Sequence, residues 1–257
     1  MPATASCSRR ALGIAVLLLV LGTAKAELTH YYPFDVDAGD VVGHDHGDII
    51  MGGITTEPNQ VAVGSGAADL RHGEAYVDLP AIDFGDRFSI AAWVAIVVPE
   101  PEPQTIIANS PCGNLGRNDG FRFYVNTWGN PMEDIVFENG DGVDVTRPKT
   151  RPWTFASFEY QHVAITVDRP NGRARIYHNG VLANRHDTKT LRTFSTHTPD
   201  TRIGVMTCGY FHLRGFVDDV RIYDHLLSED EIAHLVPEPG ALSVLAVGGL
   251  ALIRRRR

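Results

Sequence analysis

From Glu27 to Leu235 the chain is interrupted every few residues by turn-forming pairs, and helical periodicity is nearly absent. Asn139-Gly140, Asp141-Gly142, Asn171-Gly172 and Asn179-Gly180 are pairs that suit two-residue hairpin turns, where both residues take positive φ. The segments between such signals are short and rich in β-branched and aromatic residues. They read as strands over 30–35, 68–71, 74–79, 104–109, 121–125, 134–138, 158–168, 173–178 and 202–207. Phe88 to Val98 is apolar on both parities, which predicts a central strand covered on both faces with Trp93 in the core. One helix is expected, where Ser228-Glu229-Asp230-Glu231 forms a capping box before Ile232 and Leu235. About 210 residues of this kind amount to one all-β domain, a sandwich or a barrel.

Gly215 to Tyr223 is the most constraining strand. Strict alternation puts Phe216, Asp218, Val220 and Ile222 on one face and Val217, Asp219, Arg221 and Tyr223 on the other. Asp218 then shares a face with three apolar side chains. A carboxylate there needs a cation, a cage of N–H donors, or a bend that returns it to water. All three readings stand. A second acidic region, Asp35 to Asp48, carries Asp35, Asp37, Asp40, Asp45 and Asp48 among glycines, as a calcium loop would. It lacks the EF-hand spacing. His44 and His46 are read as solvated, with a transition metal as the alternative.

The ends carry addresses. Arg9-Arg10, the apolar run Ala11–Gly22 and Ala24-Lys25-Ala26 make residues 1–26 a signal peptide cut by signal peptidase before Glu27. At the other end, Pro237-Glu238-Pro239 precedes a hydrophobic helix over 240–253 and then four arginines. This order resembles the PEP-CTERM sorting signal of bacteria that produce exopolysaccharide. The resemblance implies that 236–257 is a transient membrane anchor cut by an exosortase-type protease, leaving the body at the cell surface or in the extracellular matrix. A plain membrane anchor is the alternative. The flanks carry seven positive charges and no acid, so residues 27–239 are at −15 where the whole chain is at −8. Such a body repels nucleic acid. Of three cysteines, Cys7 leaves with the signal peptide. In an oxidising compartment Cys112 and Cys208 either pair, closing a loop worth about 4–5 kcal/mol by the entropy argument, or stay as thiols.

Several stretches in chain order resemble the LamG-like members of the concanavalin A-like superfamily. They are Tyr32-Pro33-Phe34-Asp35, Gly73 to Leu79, Phe88 to Val94, His162 to Asp168, Ile176 to Gly180 and Gly215 to Tyr223. The resemblance covers 27–235 and implies a jelly-roll sandwich of two antiparallel sheets. It also implies a structural Ca2+ where the terminal strand meets the N-terminal segment, with Asp218 as the matching ligand and Asp35 or backbone carbonyls near Gly73 as candidate partners.

Catalysis is not expected. The glucanase members use an E-x-D-x-E pattern, and the nearest stretch here, Glu133 to Glu138, sets its two glutamates on opposite parities with Ile135 between them. No G-x-S-x-G nucleophile elbow occurs. The expected function is non-catalytic binding of extracellular polysaccharide or a surface glycan. The candidate contacts are Trp128, placed on a loop, and Tyr210 and Phe211, which follow Cys208. Trp128 as a cap on the sandwich end, and a structural matrix protein without a ligand pocket, are the alternatives.

Overall fold

A computed structural model describes residues 27–110, 119–127, 129–187 and 200–236, without the side chains of Asn130 and Pro131. They form two antiparallel sheets packed face to face. The first runs β13 (Val181–Asp187), β12 (Arg173–His178), β11 (Gln161–Asp168), β6 (Arg87–Ile96), β15 (Gly215–Tyr223), β4 (Ala67–Asp69) and β3 (Gly53–Thr55). β1 (Leu28–Tyr32) joins β15 beside its second half. The second runs β10 (Val145–Thr146), β9 (Asn130–Asp141), β8 (Asp119–Thr127), β7 (Gln104–Ala108), β14 (Thr201–Ile203), β5 (Tyr76–Leu79) and β2 (Asp48–Ile50). The expected two-sheet sandwich is therefore the fold.

One core fills the space between the sheets. Phe88, Ile90, Ala92 and Val94 of β6 and Val163, Ile165 and Val167 of β11 meet Phe121, Phe123, Ile135 and Phe137 from the other sheet. Phe84 and Phe121 pack edge to face with ring centroids 4.8 Å apart. Each such phenylalanine, removed from water, contributes roughly 1.5–3 kcal/mol. The short helix α1 (Glu229–His234) is capped by Ser228 and Glu231 as the sequence predicts. Its Ile232 covers Ala91, Ala164, Tyr177 and Tyr223 on the outer face of the first sheet. That contact is why β6 needs apolar residues on both parities. Trp93 departs from expectation: it points to this outer face, half-buried, with its ring 5.3 Å from that of His162.

The faces of β15 also differ from strict alternation. Asp218 pairs with Trp93 but Arg221 with Ala91, so one extra residue is inserted, and Asp219 takes φ 50°. This bulge switches parity in mid-strand. Val217, Val220 and Ile222 enter the core, whereas Asp218 lies opposite them on the outer side with Trp93.

Two of the turn signals differ in fate. Asn179-Gly180 is a hairpin turn, with φ of 47° and 78°. Asn139-Gly140 instead lies inside β9, where buried Asn139 donates its amide to the Gly120 carbonyl and Gly140 pairs with Gly120. The acidic loop after β1 is ordered by Asp40. Its Oδ1 accepts from the N–H groups of Tyr31, Val42 and Gly43 at 2.9–3.0 Å, and Oδ2 meets His30 Nδ1 at 2.8 Å. Burial alone would raise this carboxyl, but the donors outweigh it and hold it down at about 2. The cage of N–H donors considered for Asp218 is thus fully built at Asp40. Gly43 is required there, since a Cβ would stand 2.5 Å from the Thr29 carbonyl oxygen.

Candidate functional site

Hairpin β8–β9 alternates cleanly. Phe121, Phe123 and Val125 with Ile135 and Phe137 point into the core, so Arg122 and Tyr124 with Asp134, Val136 and Glu138 line the outer face of the second sheet. Glu138 is fully buried there. It accepts from Arg122 Nη1 at 3.2 Å, from the Tyr124 hydroxyl at 3.4 Å and from Arg147 Nε. Burial pulls the Arg122 guanidinium below its ordinary range and pushes the Tyr124 hydroxyl up, Glu138 adding to the second effect. Two residues along the strand pair, Lys149 Nζ stands 3.1 Å from Asp134 Oδ2. Asp134 is also fully buried, its carboxylate facing that ammonium.

An outer face this buried needs a cover, and the loop after β14 supplies one. Met206, Cys208 and Phe211 pack on Tyr124 and Val136. The loop closes on itself through Met206 N–H to the Tyr210 carbonyl at 3.1 Å, and Thr105 N–H ties it to the sheet through the Phe211 carbonyl at 3.2 Å. Phe211 is therefore largely an anchor. Tyr210 stands beside it, ring centroids 6.3 Å apart, with 66% of its surface exposed. Cys208 is disulfide-bonded; Cys112, the partner expected from the sequence, lies outside the described residues. So do Trp128 and the sorting motif Pro237, Glu238 and Pro239. Among the described residues no helix is long and apolar enough to cross a membrane.

Asp218 and Asp35 converge on one segment from two places. Asp218 Oδ2 accepts from the N–H groups of Ala62 and Val63, both at 2.9 Å, while Asp35 Oδ1 accepts from the N–H and hydroxyl of Ser65. Asp218 Oδ1 is buried with no hydrogen-bond partner. Burial raises this carboxyl to about 7, with the Val63 and Ala62 N–H groups pulling the other way. An orphaned, buried oxygen on a carboxylate suits either a proton or a hard cation. Among the described residues no three His, Cys, Asp or Glu side chains gather as a metal set, so a calcium held here would draw its other ligands from backbone oxygens and water.

The two buried carboxylates of this face do not have the spacing of a glycosidase pair. Asp134 and Glu138 share the face, but four residues along a strand separate them by about 13 Å. Paired carboxylates in glycosidases stand about 5–5.5 Å apart for retention and about 6.5–9.5 Å for inversion. Glu138 is in addition fixed by two arginines. The sequence reading missed this network because it followed Glu133 instead of Asp134. The alternation of Arg122 and Tyr124 with Phe121, Phe123 and Val125 is the signal that finds it.

Solved structures of similar fold include domains solved with bound sugars and the binding domains of toxins. Domain 4 of AbnA, a GH43 extracellular arabinanase from Geobacillus stearothermophilus solved in complex with arabinotriose, aligns with a TM-score of 0.63 at 21% identity, covering 82% of this chain and 99% of that domain. The binding domain of Paraclostridial Mosquitocidal Protein 1 aligns at 0.62 and 14% identity, over 81% of this chain and 51% of the other. The Ruminococcus gnavus IT-sialidase CBM40, bound to α2,3-sialyllactose, aligns at 0.50 and 18% identity, over 59% and 83%. At these identities the likeness establishes the fold. The chain spans the whole of the arabinanase domain but about half the length of the toxin binding domains. None of the curated proteins compared with it matches. The family profile Laminin_G_3 matches residues 71–233, well over half of the sequence, and the chain belongs to that family of the concanavalin A-like lectin/glucanases superfamily.

Proposed function

We propose that this chain is an exported, non-catalytic glycan-binding protein of the cell surface or extracellular matrix. Its ligand would meet the outer face of the second sheet at the Cys208–Phe211 loop. The observation that carries the reading is Tyr210. It is a largely exposed aromatic held out by an anchored neighbour, Phe211, on a face underlaid by buried charge. An exposed aromatic fixed in this way offers an apolar face with a polar tip, on which a sugar ring stacks readily. Fold neighbours solved with arabinotriose and sialyllactose support the same reading.

In this proposal residues 1–26 direct export, the segment around Pro237-Glu238-Pro239 is the processing site, and Cys112 pairs with Cys208 to hold the loop against the sheet. Asp218 with a structural calcium pins β15 to residues 62–65. Trp128, which follows Thr127 in the sequence, would add a second stacking surface.

The test is a glycan panel probed by calorimetry with the full chain and with Tyr210→Ala. One stacked ring is worth about a tenfold loss in affinity. Binding to at least one glycan, weakened about that much in the variant, is the expected result. No binding to any glycan, or binding indifferent to Tyr210, refutes the proposal and leaves a structural matrix role.

A further inference from the structure

The segment after β10 follows β9 as an extended edge. Phe137 N–H bonds the Pro148 carbonyl, Thr150 N–H bonds the Ile135 carbonyl, and Lys149 bridges Val136. Burial along it alternates strictly: Arg147, Lys149 and Arg151 are exposed, Pro148 and Thr150 buried. Three cations therefore project from one side of the edge, each about 7 Å from the next. Two of them reach inward to the network described above, Arg147 to Glu138 and Lys149 to Asp134, yet their side chains stay 45% and 48% exposed. Arg151 has no ion pair among the described residues. The row runs into a turn that presents Trp153, 68% exposed, with φ of 61°.

That turn is held, not loose. Trp153 N–H bonds the Met132 carbonyl at 2.6 Å, and Phe155 N–H bonds the Glu133 carbonyl at 2.8 Å. A bulky residue fixed in the left-handed region with its ring in water is strained and gains nothing from packing; such positions concentrate at ligand contacts. Neutralising Glu138 and Asp134 accounts for Arg147 and Lys149, but for neither Arg151 nor Trp153.

We infer that Arg147, Lys149, Arg151 and Trp153 form an edge subsite for an acidic polysaccharide, with the tryptophan stacking on a sugar ring and the cations pairing with its carboxylates or sulfates. The inference rests on the glycan-binding reading above and narrows its ligand class. A row of three cations on a body at −15 is a local reversal of sign. Long-range repulsion from that body works against a densely charged nucleic acid, while short-range pairing still selects an anionic sugar.

The experiment titrates the full chain with polygalacturonate, heparin, neutral dextran and single-stranded DNA at low and physiological salt. Arg151→Gln and Trp153→Ala are the variants, chosen because neither residue is buried; Lys149 is spared because its loss would strand Asp134. Polygalacturonate or heparin should bind more tightly than dextran and weaken as salt rises, and which of the two prevails identifies the anionic group. Arg151→Gln should weaken that binding several-fold and Trp153→Ala about tenfold, both with unchanged melting. Equal binding of DNA, indifference to both variants, or preference for dextran would overturn the inference. Dextran binding alone would leave the broader glycan reading standing, and no glycan binding at all would remove both.

Discussion

His162 sets up a sharp pH test of how the first sheet is covered. It sits on the outer side of β11, 1% exposed, its ring against Trp93 and its Nδ1 without a hydrogen-bond partner. Burial, reinforced by the nearby charges of Arg221 and His178, depresses its imidazole from 6.5 to about 4. The fold therefore requires the neutral ring, whereas the unfolded chain accepts a proton near pH 6.5. Its contribution is fully present above pH 6.5, declines as pH falls below that value, and levels off below about 4. At 1.36 kcal/mol per pH unit the loss is about 3 kcal/mol. The perturbation is His162→Gln, which cannot titrate. Its packing cost is an offset independent of pH, and other groups cancel in the comparison. Urea unfolding followed by tryptophan fluorescence, from about pH 7.5 down to about pH 4, gives the difference between wild type and variant. The variant should gain about 3 kcal/mol on wild type across that range. A difference that stays flat with pH would refute the claim that His162 is held neutral in a dry site.

Asp218 runs in the opposite direction. Its carboxyl is raised by burial to about 7, so without a cation its contribution is present below pH 3.8 and lost as pH rises through 7, about 4 kcal/mol in all. In chelator, Asp218→Asn should gain that much on wild type between about pH 4 and pH 8, and saturating calcium should erase the gain by stabilising the ionised wild type. A variant that tracks wild type throughout would contradict the burial argument, and indifference to calcium would remove the metal. Glu138→Gln leaves Arg122 buried opposite a neutral group and should cost about 3–5 kcal/mol in denaturant unfolding. A loss below about 1 kcal/mol would mean that the network is wet and the face open.

Much of the architecture is legible in the residues because it follows from local period. Both parities of β6 are apolar because the core lies on one side and α1 on the other, and the capping box at Ser228 marks where that helix begins. Asn179-Gly180 turns because nothing opposes its positive φ. Asn139-Gly140 is the same chemistry overruled, since a buried amide bonded across the hairpin outweighs the local turn preference. The bulge at Asp219 is the costliest omission. A single inserted residue moves Asp218 from the core face to the outer face, and period alone carries no sign of it. Asp40 is hidden for a related reason: four of the groups that converge on it are backbone N–H donors, which any sequence possesses, and only His30 is a side chain.

The site was less legible because its charges are buried, and composition describes surfaces. Reading Glu133 to Glu138 as a failed catalytic pattern is sound as far as spacing goes. What it leaves unexplained is why a strand on the outer face of a sandwich should bury two carboxylates. Fixed cations stand against both, Arg122 on the neighbouring strand and Arg147 and Lys149 on the edge segment. The buried acids thereby fix where the basic side chains lie, as second partners that orient the first. A row of free lysines on a loop would attract anions without holding them in register. Cations anchored from below at alternate positions of an edge can match a repeating polymer, and this separates a recognition surface from a merely charged one.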